Sequence, residues 1–249
     1  MPVPIMNNNN VPILKAIEKG QLRKFKKQKP RDYIGGSGLG DECERKIQYN
    51  LLAPKAKAIP EMRMVRIWGL GDKVEDYIEE LLCDAGFNIH TVQPGGKQYG
   101  FEMGGGRVQG HVDGIVDAGP KIMAYPALFE AKSIKHSNFK KFVDTGVATA
   151  NPTYYAQLQF YQKCMKLLNP ALFVMMNKDN SELYIELVEH HPAFADSLVA
   201  KASRILEATD AGQVIPRGYT DKNNFHCKYC DFNAICWKKE EEAGTPEWA

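Results

Sequence analysis

The chain has 249 residues, of which 44% are hydrophobic and 25% charged, an ordinary globular composition with ample material for a core. Its net charge is only +2, so a nucleic-acid site would have to come from clustered rather than bulk charge. No run approaches the length of a membrane span and MPVPIMNNNN lacks the order of an export signal, so an intracellular, cytoplasmic protein with no membrane partner is expected, its six cysteines reduced or metal-bound rather than disulfide-paired.

Residues 1 to 10 read as a flexible leader, since four successive asparagines bury nothing. From Lys15 to Arg31 there are eight basic residues (Lys15, Lys19, Arg23, Lys24, Lys26, Lys27, Lys29, Arg31) against one acid, Glu18. That pattern suits a solvated helix face or disordered arm as well as a phosphate-binding arm whose affinity falls with salt. The glycine-rich stretch from Tyr33 to Gly40 has neither a preceding strand nor a following Gly-Lys-Ser/Thr, and is read as a turn into a helix over 41 to 52, capped by Ser37 or Asp41. Cys43 and Arg45 fall in its first turn. A longer helical pattern over 60 to 85 is interrupted by Gly69 and Gly71 and carries Glu75 among other acids, where a solvated carboxylate is the ordinary reading.

After Gly86 the pattern turns to strands over about 87 to 93, 97 to 102, 107 to 116 and 127 to 133. In the last, Leu128, Glu130 and Lys132 face one way and Phe129 and Ala131 the other. Asp117-Ala-Gly-Pro supplies turn chemistry for a hairpin that would bring Asp113 near Glu130. Two carboxylates beside a lysine suit phosphodiester hydrolysis, in which a divalent ion neutralises phosphate and the lysine orients water; an isolated Glu-x-Lys pair is otherwise a common surface ion pair. Helices follow near 136 to 145 and 152 to 168, then a second hairpin around Asp179-Asn180-Ser181, then a helix over 192 to 210. Helices around a mixed central sheet give an α/β fold, or α+β if the sheet is mostly antiparallel.

Cys227, Cys230 and Cys236 lie within ten residues of one another, a spacing that signals metal binding. Cys43, at a helix start, is a better fourth ligand than His226, while Cys83 and Cys164 are expected to pack in the core. Four thiolates suit zinc and an iron–sulfur cluster alike.

In order, these motifs resemble the PD-(D/E)XK nuclease superfamily, and within it the RecB-like exonucleases with a four-cysteine iron–sulfur cluster, such as AddB and the CRISPR-associated exonucleases. The likeness rests on Cys43, Gly71-Asp-Lys-Val-Glu75, Gly110-His-Val-Asp113-Gly, Phe129-Glu130-Ala-Lys132, Gln157-Leu-Gln-Phe-Tyr161 and the trio Cys227, Cys230 and Cys236, spanning residues 43 to 236. Glu75 departs from the histidine common in the nearest relatives, although viral exonucleases of the superfamily use an acid there. The resemblance implies a restriction-endonuclease-like core whose ends are clasped by a cysteine metal cluster. It divides the chain into a flexible basic arm (1–32), a nuclease core (33–212) and a cysteine region with an acidic tail (213–249).

What the resemblance implies for function is an Mg²⁺- or Mn²⁺-dependent DNA exonuclease acting on single strands or DNA ends in recombination, repair or replication. Glu75, Asp113, Glu130 and the carbonyl of Ala131 would hold metal, Lys132 would position water, and Gln157 and Tyr161 would contact DNA or brace Lys132 and Glu130. Cys43, Cys227, Cys230 and Cys236 would ligate [4Fe-4S], with zinc as runner-up. A helicase, recombinase or single-strand-binding partner fits this role, as does a host cytoplasm if the source is viral. A non-cleaving binding module on the same fold and a structure-specific endonuclease are the alternatives. His111 and the lysines Lys135, Lys140 and Lys141 stand as further candidates beside the site.

Overall fold

The computed structural model describes residues 11–29, 31–54 and 58–237. The expected leader at 1 to 10 and the acidic tail beyond Trp237 lie outside the described residues. In chain order the helices are α1 (Val11–Lys26), α2 (Glu44–Leu52), α3 (Met62–Asp84), α4 (His136–Ala150), α5 (Pro152–Met165), α6 (Pro192–Asp210), α7 (Phe225–Lys228) and α8 (Asn233–Cys236). The strands are β1 (Ile34–Gly35), β2 (Asn88–His90), β3 (Gly100–Met103), β4 (Val108–His111), β5 (Gly114–Ala118), β6 (Ala127–Ile134), β7 (Ala171–Asn177) and β8 (Leu183–Val188).

Alternation along β6 divides the molecule into layers. Leu128 joins a core with Phe173 and Met175 of β7, Phe139 and Phe142 of α4, and Leu158 and Phe160 of α5. Phe129 and Ala131 face the other way, onto Ile78 of α3 with Leu172, Val174 and Met176. The sheet order is β2-β5-β6-β7-β8, with β6 and β7 parallel and the other pairs antiparallel. A mixed central sheet flanked by helices is therefore present. The parallel step needs a crossover, which α4 and α5 supply. Asn151 separates these helices and caps α5 by accepting from the amides of Thr153 and Tyr154, while Pro152 occupies the first turn, where its missing N–H costs nothing.

Four expectations change. The stretch 107 to 116 is two strands: β4 pairs with β1 and β3 in a separate three-stranded sheet, whereas β5 pairs with β2 and β6. The chain changes sheets at Val112-Asp113, so Asp113 lies between strands. The glycines at 69 and 71 do not interrupt α3, which continues through both. Neither Ser37 nor Asp41 caps α2; Cys43 is the N-cap, with no side-chain hydrogen bond of its own, and Asp41 instead accepts from the amide of Cys43 at 2.9 Å. Among the basic residues expected in a flexible arm, those from Lys15 to Lys26 belong to α1.

The expected metal clasp is also corrected. Cys43, Cys227, Cys230 and Cys236 line one pocket, but among the described residues no three or more His, Cys, Asp or Glu side chains are grouped so as to hold a metal ion. The tail is joined to the body by other contacts. Phe232, 2% exposed, packs its ring 5.5 Å from that of Tyr49 on α2. Within the tail itself, Arg217 donates twice to the carbonyl of Cys236, at 3.0 and 2.6 Å, and lies 4.6 Å from the Trp237 ring. Gln48, fully buried, holds the segment after α6 by donating to the Gln213 carbonyl and accepting from the Ile215 amide. Cys83 is exposed rather than packed in the core, and Cys164 is half-buried.

Truncating the aromatic anchor tests this arrangement. Phe232→Ala is expected to lower unfolding free energy by about 3 kcal/mol or more, as for other buried phenylalanines, measured by chemical denaturation, and to make the segment after Ile215 the first site of limited proteolysis.

Candidate functional site

Lys132 meets four oxygen-bearing groups at once. Its Nζ lies 2.5 Å from Glu130 Oε1, 3.4 Å from Asp113 Oδ2 and 3.8 Å from Glu75 Oε1, and it donates to the Ala131 carbonyl at 2.7 Å. Four parts of the chain make this possible. Glu130 and Lys132 project from β6 on the same face, two residues apart. Asp113 reaches them because the β5–β6 ladder ends at Gly114 opposite Phe129; beyond it the amide of Ala131 donates to Asp113 Oδ2 at 2.9 Å. Glu75 comes from α3, on whose helical surface it faces Lys132 rather than solvent alone.

The fourth part is α5. Gln157 Nε2 donates to Glu130 Oε1 at 2.5 Å, and Tyr161, one helical turn on, is 3% exposed. Tyr161 is admitted by two glycines: a Cβ at Gly36 would lie 2.5 Å from its ring and one at Gly110 would lie 2.9 Å from it. Ser37, in the same glycine-rich turn, adjoins its phenol and works against the rise in its proton affinity. These three residues, Gly36, Ser37 and Gly110, were missed as parts of the site. For Gly36 and Ser37 the signal is the glycine cluster, which the sequence reading takes only as a turn; Gly110 stands in the motif around Asp113, where no role is assigned to it.

The charge balance is unequal, with three carboxylates around one ammonium. Burial works against the charge on Lys132, but Glu130, Asp113 and Glu75 together outweigh it and hold the amine protonated. Burial and then the neighbouring Asp113 push the Glu130 carboxyl upward, against the opposing pull of Lys132. Glu75 is pushed up to about 7 by burial, opposed by Lys132 and reinforced by Asp113, Asp72 and Asp76. Burial and the nearby carboxylates also raise the Tyr161 phenol, so it stays a neutral donor. Glu130 Oε2 is buried with no hydrogen-bond partner among the described residues, an expensive condition for an acceptor.

Of the residues singled out from sequence, Glu75, Asp113, Glu130, Ala131, Lys132 and Gln157 are thus brought together, with Tyr161 at their border. His111 is exposed, as are Lys135, Lys140 and Lys141, so none of these four is built into the buried cluster. His226, the alternative fourth ligand in the sequence, stacks on Tyr219 with ring centroids 5.0 Å apart.

No family model matches the chain, and no curated protein matches it by sequence. Among solved structures it is similar to LHK-Exo in complex with dAMP, at 16% identity and a TM-score of 0.55 over 74% of this chain and 90% of that one. It is likewise similar to the alkaline exonuclease LHK-Exo from Laribacter hongkongensis, at 14% identity and a TM-score of 0.54 over 78% and 93% of the two chains. At these identities the likeness shows a shared exonuclease fold. The finer assignment to exonucleases with a four-cysteine iron–sulfur cluster is corrected: the described residues hold no such metal-ligating group, whether for [4Fe-4S] or for zinc.

The raised Glu75 carboxyl fixes a sign. Folding takes up a proton there between the ordinary glutamate range near 4.5 and about 7. The resulting stabilisation is fully present below 4.5 and is lost as pH rises through 7. Glu75→Gln, which stays neutral, is expected to be more stable than the parent by on the order of 1 to 2 kcal/mol at pH 8, after discounting for partial exposure, with the difference shrinking to nothing at pH 4.5. Denaturation midpoints at the two pH values, without divalent ions, measure it.

Proposed function

We propose that this protein is a metal-dependent deoxyribonuclease that hydrolyses phosphodiester bonds as an exonuclease on single-stranded DNA or DNA ends. The observation that carries the reading is the grouping of Glu75, Asp113 and Glu130 around Lys132, on a fold shared with an exonuclease. The buried, unpartnered Oε2 of Glu130 and the excess of carboxylate over ammonium charge fit a cation, although with Lys132 seated among them the three carboxylates do not form a ready-made metal-holding group. Asp113, Glu130 and the Ala131 carbonyl are the groups that would hold it, with Glu75 alongside, and an all-oxygen donor set suits hard Mg²⁺ or Mn²⁺. Such an ion supplies charge neutralisation at phosphate and a bound water of lowered pKa.

The chain's own residues have separate tasks in this reading. Lys132, kept protonated, donates hydrogen bonds to a water or to the phosphoryl oxygens as negative charge develops. Gln157 fixes the rotamer of Glu130 by occupying Oε1, which leaves Oε2 to face the reacting groups. The neutral phenol of Tyr161 offers a donor at the edge of the cluster, fixed in place by Gly36 and Gly110. Asp113, by accepting from the Ala131 amide, ties the position of its carboxylate to the backbone of β6.

The test is turnover of 5′- and 3′-labelled single- and double-stranded DNA with Mg²⁺ or Mn²⁺. Lys132→Ala and Asp113→Ala are each expected to reduce the rate at least 10²- to 10³-fold, the scale of losing one electrostatic stabiliser; rates equal to the parent's in both variants would end the nuclease reading. Gln157→Ala is expected to lose about tenfold, because Glu130 keeps its lysine but not its orientation.

A further inference from the structure

The chain's positive charge is concentrated in one segment. Residues 15 to 31 carry eight basic side chains and one acid, a net of +7, so in a chain of net +2 the remainder carries −5. The helix α1 gives this segment a definite geometry. Glu18 and Gln21 accept from Arg66 of α3, at 3.3 and 3.0 Å, and Leu22 and Phe25, half-buried, fall on the same side by helical spacing. The single acid is therefore turned inward against α3. Lys15, Lys19, Arg23, Lys24, Lys26, Lys27, Lys29 and Arg31 are all exposed, and among the described residues none of them makes an ion pair.

Helical spacing sharpens the outward face. At about 100° per residue, Lys15, Lys19, Arg23 and Lys26 fall within an arc of roughly 80°, and at 1.5 Å per residue they extend over about 16 Å. A row of unpaired cations that long spans roughly five phosphates of one strand at about 3.4 Å of rise each. Isolated like charges on one helix face repel, at a few tenths of a kcal/mol per pair, so the row is stabilised by a polyanion and by nothing else among the described residues.

We propose that the outward face of α1 is a nucleic-acid backbone tracking surface, with Lys15, Lys19, Arg23 and Lys26 contacting successive phosphates of the DNA strand that feeds the site. The inference rests on DNA being the substrate. It assigns this helix to non-specific affinity, with no role in bond cleavage: its contacts are charge to phosphate and carry no base information. The exposed apolar residues near its start, Ile13 and Ile17, offer a lipid surface as the competing occupant.

The experiment measures anisotropy of a labelled 30-nucleotide single strand with full-length protein in EDTA, from low to moderate salt. The combined variant Lys15→Gln, Lys19→Gln, Arg23→Gln and Lys26→Gln is expected to bind at least tenfold more weakly, with the slope of log K against log salt shallower by about 2 to 3, as for four lost phosphate contacts on a single strand. Its thermal midpoint should match the parent's, because all four side chains are exposed. Equal affinity and slope in parent and variant would overturn the proposal. So would a parent that ignores DNA yet binds phosphatidylglycerol vesicles through these residues. The slope change together with no cleavage under either metal would remove the nuclease reading and leave this one standing; cleavage with an unaltered slope would do the reverse.

Discussion

A single ammonium holds three carboxylates together at the centre of this molecule. Lys132 lies between 2.5 and 3.8 Å from oxygens of Glu130, Asp113 and Glu75. At about 4 Å and an effective dielectric near 20 each such attraction is worth about 4 kcal/mol, a scale that opposes, without cancelling, the cost of burying Glu130 at 1% exposure. Each surrounding element is placed to meet this demand: β6 supplies two of the groups, the break between β4 and β5 delivers Asp113, α3 delivers Glu75, and α5 adds Gln157 to the same Glu130 oxygen that Lys132 engages, leaving the other without a partner among the described residues.

The same constraint explains why the sheet is divided. A continuous strand from 107 to 116 paired throughout with β6 would place a backbone carbonyl, not a carboxylate, beside the Ala131 amide. Ending the ladder at Gly114 leaves that amide to Asp113, so a lost strand pairing becomes the contact that fixes an acid against its neighbours. The glycines act similarly on the opposite side, since Gly36 and Gly110 each leave the space of a methyl group into which the Tyr161 ring fits.

Much of this was legible in the sequence, and for a physical reason. Alternation on β6 reports directly which side chains share a face, so the pairing of Glu130 with Lys132 followed from period two, and helical spacing put Gln157 and Tyr161 on one surface of α5. The change of sheet at Val112-Asp113 was not legible. Val108, Gly110, Val112, Gly114 and Val116 are all buried, so the hydrophobic alternation runs through the break unchanged and carries no mark of it. Gly69 and Gly71 misled in the other direction: each costs the helix up to about 1 kcal/mol, less than α3 gains by burying Ile78 and packing Val74, Leu81 and Leu82 against the sheet. The cysteines show the limit of spacing as evidence. Their positions in sequence do place all four around one pocket, but spacing says nothing of sulfur directions, and the tail is seated by Phe232 on Tyr49 and by Gln48, residues whose part no cysteine pattern announces.

The separation of charge along the chain bears on how the proposed chemistry would be organised. A site with three carboxylates and one ammonium repels a phosphate backbone, and the rest of the body, at −5 outside residues 15 to 31, does nothing to relieve this. At physiological ionic strength charge is screened over about 8 Å, so exposed cations act chiefly on what lies close to them. Those of α1 act only on the phosphates they touch. On the proposed reading the polymer itself links the two: contacts at α1 hold the strand and supply the favourable free energy, while the local excess of negative charge at Asp113 and Glu130 is left for a cation to neutralise where the bond is broken. Separating affinity from neutralisation in this way lets the buried carboxylates remain under-compensated in the resting protein, which is the condition their raised proton affinities report.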